Sequence, residues 1–270
     1  MIRKATQEDI PFCHKLTVIE DWNFSLEEFY VLASHRSTTI FIAEDGERMG
    51  MVASHQYGCK AWIGNLIVVN KFRGEGIGTS LMVKVLNDLE SKGVTTVRLE
   101  AVHEVVPLYK KLGFVPEFES LRFKGVFHGD KRGESMVTDK LLREVSDFDE
   151  KYFGANRMEF LKGFYQLSPV HLIKRENDTI RGYLMARITP AKVGPCACIN
   201  GSVFEPLLSA ALQHLDGTVS VGIPECNKEG VTLLEEYGFS LIGSSLRMVR
   251  GIRNGGIPEK IFAIGGPEKG

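Results

Sequence analysis

Hydrophobic and polar residues in the first quarter of the chain follow patterns that predict a short strand, two helices and a β-hairpin. After the strand-like start "MIRKAT", the spacing Thr6-x-x-Asp9 is a helix-capping pattern that precedes apolar residues at helical intervals in "IPFCHKL". Ser25-x-x-Glu28 is a second capping box, so another helix is predicted to begin there. Two β-rich runs flank the turn "EDGE" in "TTIFIAEDGERMGMVASHQYG", which predicts a hairpin.

The next part of the chain alternates between strand and helix patterns. "KAWIGNLIVV" predicts a strand, and apolar residues on one helical face predict a helix between Ile77 and Leu89. "VTTVRLEAV" predicts a further strand, "EVVPLYKKLG" a short helix ending at Gly113, and "SLRFKGVF" a last strand. These patterns predict the α+β class, with a mixed α/β sheet flanked by helices.

Two similar stretches indicate an internal repeat. "GFVPEFESLR" at 113–122 and "GFSLIGSSLR" at 238–247 share their ends at an offset of 125 residues, and each follows a strand pattern and a short helix. A chance likeness between two Gly-Phe helix ends is the alternative. A strongly charged stretch with few apolar residues for a core separates the two copies. We therefore predict a first domain at 1–127, a charged linker at 128–145 and a second domain at 146–270.

Composition excludes several classes of function. The 270 residues carry a formal net charge of -1 from 33 basic and 34 acidic residues that are well mixed, so a nucleic-acid partner is not expected. No segment has the run of about 20 apolar residues that spans a bilayer. The five cysteines show no zinc-ligand spacing, so we expect no metal and reduced cysteines in a cytoplasmic protein.

The stretch "VVNKFRGEGIGTSLMVKVLNDLE" places an arginine and three alternate glycines between a predicted strand and a predicted helix. Arg73, Gly76 and Gly78 form the pattern Arg-x-x-Gly-x-Gly. Glycines allow the backbone N–H groups from Gly74 to Thr79 to turn toward one point, and the helix start adds its partial positive charge. This arrangement predicts a loop that binds a phosphate or pyrophosphate.

Other phosphate-binding patterns fit this loop poorly. A P-loop requires a lysine that is absent here, and a dinucleotide-binding fold requires Gly-x-Gly-x-x-Gly, whereas Gly74, Gly76 and Gly78 follow Gly-x-Gly-x-Gly. A glycine-rich turn without a ligand is the remaining alternative, but it would not explain why the arginine, the glycines and the helix start coincide.

"VVNKFRGEGIGTSLM", followed by a strand and then "LYKKLGF", resembles the GNAT superfamily of N-acetyltransferases. The acetyl-CoA loop of that family reads Arg/Gln-x-x-Gly-x-Gly/Ala, and the resemblance extends over about residues 1 to 127. Asn70 stands where the family usually has a proline, which leaves the loop itself intact. The resemblance implies the GNAT fold, acetyl-CoA as co-substrate and acetyl transfer to an amine.

The resemblance also implies roles for individual residues. The loop amides would bind the pyrophosphate, and the main chain of the preceding strand would run beside the pantetheine, with one amide binding the thioester oxygen. Tyr109 stands where the family has a tyrosine that protonates the CoA thiolate, although a packed core tyrosine is the alternative reading. The predicted catalytic residue is therefore Tyr109, and the predicted cofactor-binding residues are Leu66, Ile67, Val68, Val69, Arg73, Gly74, Glu75, Gly76, Ile77, Gly78 and Thr79.

The second half of the chain resembles the second domain found after some GNAT domains. "INGSVFEP" contains no Arg-x-x-Gly-x-Gly, so this copy is predicted to lack an acetyl-CoA loop. Leu234 takes the place of Tyr109. Many family members carry an asparagine seven residues before the tyrosine, and the resemblance assigns a pantetheine contact to it. This position is Val102 in the first copy and Asn227 in the second. The predicted architecture is thus two GNAT-like domains in tandem, the second degenerate.

The predicted activity is transfer of an acetyl group from acetyl-CoA to an amine of a small molecule or a protein, by direct attack in a ternary complex. A non-catalytic sensor that binds CoA or acyl-CoA and an NAD-binding oxidoreductase are the rival hypotheses. The second domain is expected to complete the acceptor cleft or a homodimer face, and the acceptor is unknown. Residues that could act as general base or line an acceptor pocket, besides a water molecule as base, are Glu20, Asp21, Trp22, Phe24, Glu100 and His103.

Overall fold

The first half of the chain forms a mixed sheet with helices on both faces. The computed structural model describes residues 1–22, 25–130 and 139–270. The predicted capping patterns are present: Thr6 and Asp9 form a capping box at a short 3-10 turn, Gln7–Asp9, that leads into the first helix. The Ser25 hydroxyl accepts a hydrogen bond from the Glu28 amide at 3.0 Å. The elements of this half are β1 (Ile2–Lys4), α1 (Ile10–Ile19), α2 (Leu26–Ser34), β2 (Thr38–Asp45), β3 (Glu47–Tyr57), β4 (Lys60–Val68), α3 (Ile77–Ser91), β5 (Thr96–Ala101), α4 (Val106–Lys111) and β6 (Val115–His128).

The second half repeats most of this order of elements. α5 overlaps residues 139–145 of the predicted linker, and its residues Leu142 and Val145 are buried, so this part of the charged stretch does supply core side chains. The preceding residues 131–138 of the predicted linker lie outside the described ranges. The elements are α5 (Asp139–Phe153), α6 (Met158–Leu167), β7 (Val170–Glu176), β8 (Thr179–Ile188), β9 (Ala191–Cys198), α7 (Gly201–Leu212), β10 (Asp216–Pro224), α8 (Lys228–Glu236), β11 (Ser240–Gly251) and β12 (Ile261–Ala263).

The two halves exchange their final long strands and so share one sheet. The strand order is β1-β2-β3-β4-β5-β11-β6-β10-β9-β8-β7, with β12 beside β9. β11 of the second half therefore lies between β5 and β6 of the first, and β6 of the first half lies between β11 and β10 of the second. The sequence predicts a separate mixed sheet for each domain, whereas in the structure the two sheets are continuous.

The exchanged strands are related by an approximate two-fold axis. β6 and β11 are the strands of the two repeated stretches, and they pair antiparallel with each other. Ser120 lies directly opposite Ser245 in this pairing, and these two serines are also equivalent at the repeat offset of 125 residues. A residue that pairs with its own equivalent marks the position of the axis.

Separate hydrophobic cores lie on the two faces of the sheet. α3 packs one apolar face onto the first half, where Leu81, Met82 and Val85 are fully buried, and α7 and α8 cover the corresponding face of the second half. On the opposite face, the core beneath α5 and α6 also includes Tyr57 and Trp62 of the first half. The halves are therefore joined through side-chain packing as well as through the sheet.

Candidate active site

A gap opens in the sheet where β4 and β5 diverge. The two strands are parallel and pair from Lys60 with Thr96 as far as Ile63 with Leu99. Beyond that point β4 continues along β3, and β5 continues along β11. The β4–β5 gap therefore begins at Gly64 on one side, and it exposes strand edges that a ligand can pair with.

The second half of β4 contains an irregularity at this gap. The pairing with β3 shifts register between Met51, which lies opposite Ile67, and Ala53, which lies opposite Gly64. Asn65 has a positive φ of 53° within this shift, so the strand has a bulge there. The predicted pantetheine-contacting residues Leu66, Ile67 and Val68 follow the bulge on β4, and Val69 comes directly after the strand.

The loop that follows β4 leaves its amides free for a ligand. Gly74 and Gly76 adopt positive φ angles of 89° and 81°, and Gly76 is the N-cap of α3. Within the described residues, none of the amide N–H groups from Gly74 to Thr79 donates a hydrogen bond. Beta carbons at Gly74 and Gly76 would have no atom within 4 Å, so the space in front of the loop is open. The loop thus fits a pyrophosphate, which accepts hydrogen bonds from such amides at a helix N-terminus.

Arg73 fixes the entrance of this loop. Its Nε donates a hydrogen bond to the Val68 carbonyl at 2.9 Å, and its Nη2 forms an ion pair with Glu20 at the end of α1. The arginine therefore connects the end of β4 to α1, and half of its side chain is still exposed at the loop. This position adds positive charge where the phosphates are expected.

Tyr109 lies in α4, packed edge-on against Phe114 with ring centroids 5.9 Å apart. Only 6% of the residue is exposed. Burial raises the pKa of Tyr109 to about 12, so the hydroxyl keeps its proton at neutral pH. A protonated phenol is the form that can donate to a departing thiolate.

Glu100 is the first residue of β5 beyond the paired part, but its carboxylate is fully engaged in structure. It accepts hydrogen bonds from Ser120 at 2.9 Å, Ser245 at 3.0 Å and Arg247 Nε at 2.7 Å, and its side chain is 1% exposed. Two of these donors come from the exchanged strand β11. Glu100 is therefore a partner for the second domain rather than a free base.

The other candidate bases are at the surface or paired. His103 has a side chain that is 56% exposed, with Nε2 3.5 Å from a Glu119 carboxylate oxygen. Glu20 is paired with Arg73, and Asp21 is exposed with a φ of 55°. Trp22 packs against the core under α1 and α2. Phe24 lies outside the described residues.

The second domain has a corresponding gap between β9 and β10, and the chain itself fills it. β12 pairs with β9, and the Ile264 amide donates to the Gly222 carbonyl of β10 at 2.8 Å, so residues 261–264 bridge the β9–β10 gap. Asn227 Nδ2 donates to the Ile261 carbonyl at 2.9 Å. The asparagine that the resemblance assigns to pantetheine contact thus binds backbone instead.

The start of α7 also differs from the start of α3. Two residues, 199 and 200, connect β9 to α7, so no long loop precedes the helix. The Gly201 amide donates to a Glu229 carboxylate oxygen at 2.8 Å, which places an internal anion at the helix start. Leu234, at the position equivalent to Tyr109, is fully buried. The second domain therefore offers neither a free loop nor an open gap for acetyl-CoA.

Family models match both halves of the chain. A model described as "Acetyltransferase (GNAT) domain" matches residues 13–130, and a second model with the same description matches residues 145–263. The chain belongs to the GNAT acetyltransferase family. Its two GNAT domains lie in tandem, as the repeat and the resemblance predict.

Relatives of similar length support this assignment. The Holothin acyltransferase of Pseudoalteromonas sp. (strain SANK 73390) is 26% identical over 99% of this chain and 94% of its own length. The crystal structure of a Pyrococcus horikoshii protein assigned as an acetyltransferase superposes with a TM-score of 0.84 at 26% identity, over 100% of this chain and 95% of that one. A GCN5-related N-acetyltransferase from Sphaerobacter thermophilus shares the fold at a TM-score of 0.66 and 16% identity, over 94% and 96% of the two chains.

Two kinds of structural feature are absent from the described residues of this GNAT protein. Over residues 1–22, 25–130 and 139–270, no helix is long and apolar enough to cross a membrane. In the same ranges, no group of three or more His, Cys, Asp or Glu residues is placed to hold a metal ion.

Proposed function

We propose that this GNAT protein is an acetyl-CoA-dependent N-acetyltransferase with one active site, in the first domain. The observation that carries the proposal is the row of free amides from Gly74 to Thr79 beside the β4–β5 gap. A diphosphate at these amides directs the pantetheine along Val69 to Leu66. A single site per chain is also supported by the second domain, in which residues 261–264 fill the β9–β10 gap.

In the proposed reaction, acetyl-CoA supplies a thioester that the amine acceptor attacks directly in a ternary complex. A backbone amide in the Leu66–Val69 stretch donates to the thioester oxygen as negative charge develops there. Tyr109 donates its hydroxyl proton to the departing thiolate. A water molecule is the base we favour, because Glu100 and Glu20 are both ion-paired. The cytoplasm is the proposed location.

The acceptor is proposed to be an amine that reaches the thioester in the β4–β5 gap. Holothin is the first acceptor to screen, because a relative that covers nearly the whole chain is a Holothin acyltransferase. Purified protein with acetyl-CoA and an amine panel that includes holothin should release free CoA in proportion to the acceptor. Tight CoA binding without turnover on any amine would instead support the rival sensor function.

Gly76→Val tests the loop directly. Because valine does not adopt the φ of 81° without strain of about 1 to 3 kcal/mol, the loop amides should lose their alignment. Titration calorimetry should show CoA affinity reduced by at least about 100-fold with the fold retained, which is the loss of two or more charge-assisted hydrogen bonds.

Gly238→Val is the matched control for this substitution. Gly238 follows α8 with a φ of 86°, and a beta carbon there would also have no atom within 4 Å, but the residue lies outside the loop. This variant should carry a similar strain and bind CoA normally. Wild-type CoA affinity in a folded Gly76→Val protein would remove the loop from the binding site.

A further inference from the structure

The proposed binding mode, on which this inference rests, fixes where the acyl group of the cofactor lies. The diphosphate is at the loop after β4, and the pantetheine runs back along Val69 to Leu66. The reactive end therefore reaches the start of the β4–β5 gap, where Gly64 is the first residue of β4 beyond its pairing with β5. Whatever covers Gly64 limits the length of the acyl group.

Residues 266–270 cover Gly64. A beta carbon built on Gly64 would be 2.2 Å from Glu268 Cβ and 2.5 Å from Glu268 Cα, so the two backbones are in close contact. Glu268 is 4% exposed, and the neighbouring Lys269 is 1% exposed. Tyr57 of β3 donates a hydrogen bond to the Lys269 carbonyl at 3.2 Å. Residues 266–270 are therefore packed against the start of the gap.

Contacts at both ends hold this segment in place. At one end, Asn227 binds the Ile261 carbonyl and Phe262 packs against Phe204 with ring centroids 4.7 Å apart. At the other end, Lys269 Nζ donates to Glu28 of α2 at 2.6 Å, and Arg157 donates to the Gly270 carbonyl at 2.9 Å. A segment anchored on both sides of Glu268 has little freedom to move away from Gly64.

We propose that Glu268, held on Gly64 by the segment 261–270, closes the acyl end of the β4–β5 gap and restricts the site to short acyl groups such as acetyl. A longer chain would have to displace Glu268 from its close contact with β4. Glu268 is then a specificity-determining residue supplied to the first domain by the segment that fills the gap of the second.

Titration of the full chain with CoA, acetyl-CoA and octanoyl-CoA tests this proposal without knowledge of the acceptor. Acetyl-CoA should bind the wild type at least about tenfold more tightly than octanoyl-CoA, because a closed pocket has no room for the longer acyl chain. Glu268→Gly removes the Cβ nearest to Gly64, so the octanoyl-to-acetyl ratio of Kd values should fall about fivefold or more. The Kd of acetyl-CoA should stay within about threefold.

A second variant acts at the anchor and leaves Glu268 unchanged. Asn227→Asp keeps the oxygen that accepts the Gly230 amide at 2.9 Å and caps α8, but it removes the donor to Ile261. This variant should relax the same ratio. Asn200→Asp is the matched control, because Asn200 caps α7 through Val203 and has no hydrogen bond to the segment. It should keep the wild-type ratio.

Two results would overturn the proposal on acyl length alone. One is octanoyl-CoA binding as tightly as acetyl-CoA to the wild type. The other is an unchanged ratio in both Glu268→Gly and Asn227→Asp when circular dichroism shows a native fold. Absence of any binding to free CoA is a different outcome, because it would contradict the proposed function and this inference together.

Discussion

Tyr109 combines a packed environment with the catalytic role proposed for its hydroxyl. Its ring contacts Phe114, and burial is the cause that raises its pKa to about 12. The hydroxyl is thus neutral throughout the pH range in which a transferase is assayed. Packing and proton donation are compatible here, because the ring provides the first and the hydroxyl the second.

Tyr109→Phe separates these two roles. Because the ring is kept and the hydroxyl is lost, turnover should fall by about 100-fold or more, as expected for a lost general acid. The Kd of CoA and the midpoint of thermal unfolding should hardly change. Steady-state kinetics on the best amine, with calorimetry for CoA, would measure this. An unchanged kcat would assign Tyr109 to the core alone.

The conformation of the loop could be predicted from the sequence, but the ion pairs and hydrogen bonds made by the acid–base candidates could not. Gly74 and Gly76 adopt the positive φ angles that the motif predicts, and the motif encodes these conformations locally. Whether Glu100 is free depends on Ser245 and Arg247, which are about 145 residues away along the chain. A single sequence does not reveal such pairings.

Among the strands, β11 carries the contacts that join the two domains. Arg247 on this strand binds Glu100 and stacks on Trp62 and Phe118, with its guanidinium 4.8 Å from each ring. On the same strand, Arg250 binds Glu90 at 2.7 Å, but Glu90 has a side chain that is 52% exposed. One strand thus provides a buried and an exposed ion pair of the same chemical type.

Glu100→Gln and Glu90→Gln should therefore differ in their effect on stability. Loss of the charge at Glu100 leaves Arg247 buried without an anion, which should lower the free energy of unfolding by about 3 to 5 kcal/mol. The matched change at Glu90 should cost less than about 1 kcal/mol, because water solvates both partners. Urea unfolding monitored by circular dichroism would compare them. Equal losses would contradict the role of Glu100 in holding β11.

Glu28 on α2 forms a second buried contact between the domains. Burial alone would raise the pKa of this carboxyl, but the charges of Lys269 and Arg187 outweigh it and lower the pKa to about 2. A depressed pKa in the folded state stabilises the protein above the unfolded value of 4.5, and the stabilisation is lost as the pH falls toward 2.

The free energy of unfolding should accordingly decrease between pH 4.5 and 2, with Glu28 contributing to the slope. Glu28→Gln should be less stable at neutral pH and should show a shallower slope over this range. Urea titrations at a series of pH values would measure both slopes. Parallel curves for the variant and the wild type would contradict this account.

Single helices and strands could be predicted from local sequence patterns, whereas the pairing of strands within the sheet could not. Caps at Thr6 and Ser25 and the apolar stripe of α3 are local signals, and these elements are present. The exchange of β6 and β11 involves pairing between distant strands of nearly equal pattern. Their sequence patterns do not decide which of the two strands pairs with β5, so the exchange is visible only in the structure.

For the molecule as a whole, the strand exchange means that neither domain has a complete sheet without the other. Without β11, the first domain would expose facing edges of β5 and β6 and would lose Arg247 from Glu100. The predicted boundaries at 127 and 146 describe the order of the repeats. They do not mark units that can be separated without breaking the sheet.

A fragment of residues 1–130 should therefore fail to fold as a stable monomer. Unpaired edges of this length favour aggregation or disorder, and circular dichroism should show no cooperative unfolding transition. Co-expression with residues 139–270 should restore a complex that binds CoA. A monomeric fragment with native CoA affinity would contradict the requirement for β11.

The sequence also does not predict that residues 261–264 fill the β9–β10 gap. "KIFAIGGPEKG" has a short apolar run without the period of a strand or a helix, so it gives no sign that residues 261–264 enter the β9–β10 gap. Asn227 is a signal in the sequence for such a segment. It stands at the position of the pantetheine-contacting asparagine, although the second copy has no acetyl-CoA loop.

The pairing of Ser120 with Ser245 also points to the ancestry of the chain. Two identical copies of a one-domain ancestor could exchange their last strands about the same axis and so form a closed, symmetric pair. Duplication and fusion of its gene would keep that arrangement within one polypeptide. Under the proposed function, such a chain keeps one catalytic centre, and its other half serves as a scaffold.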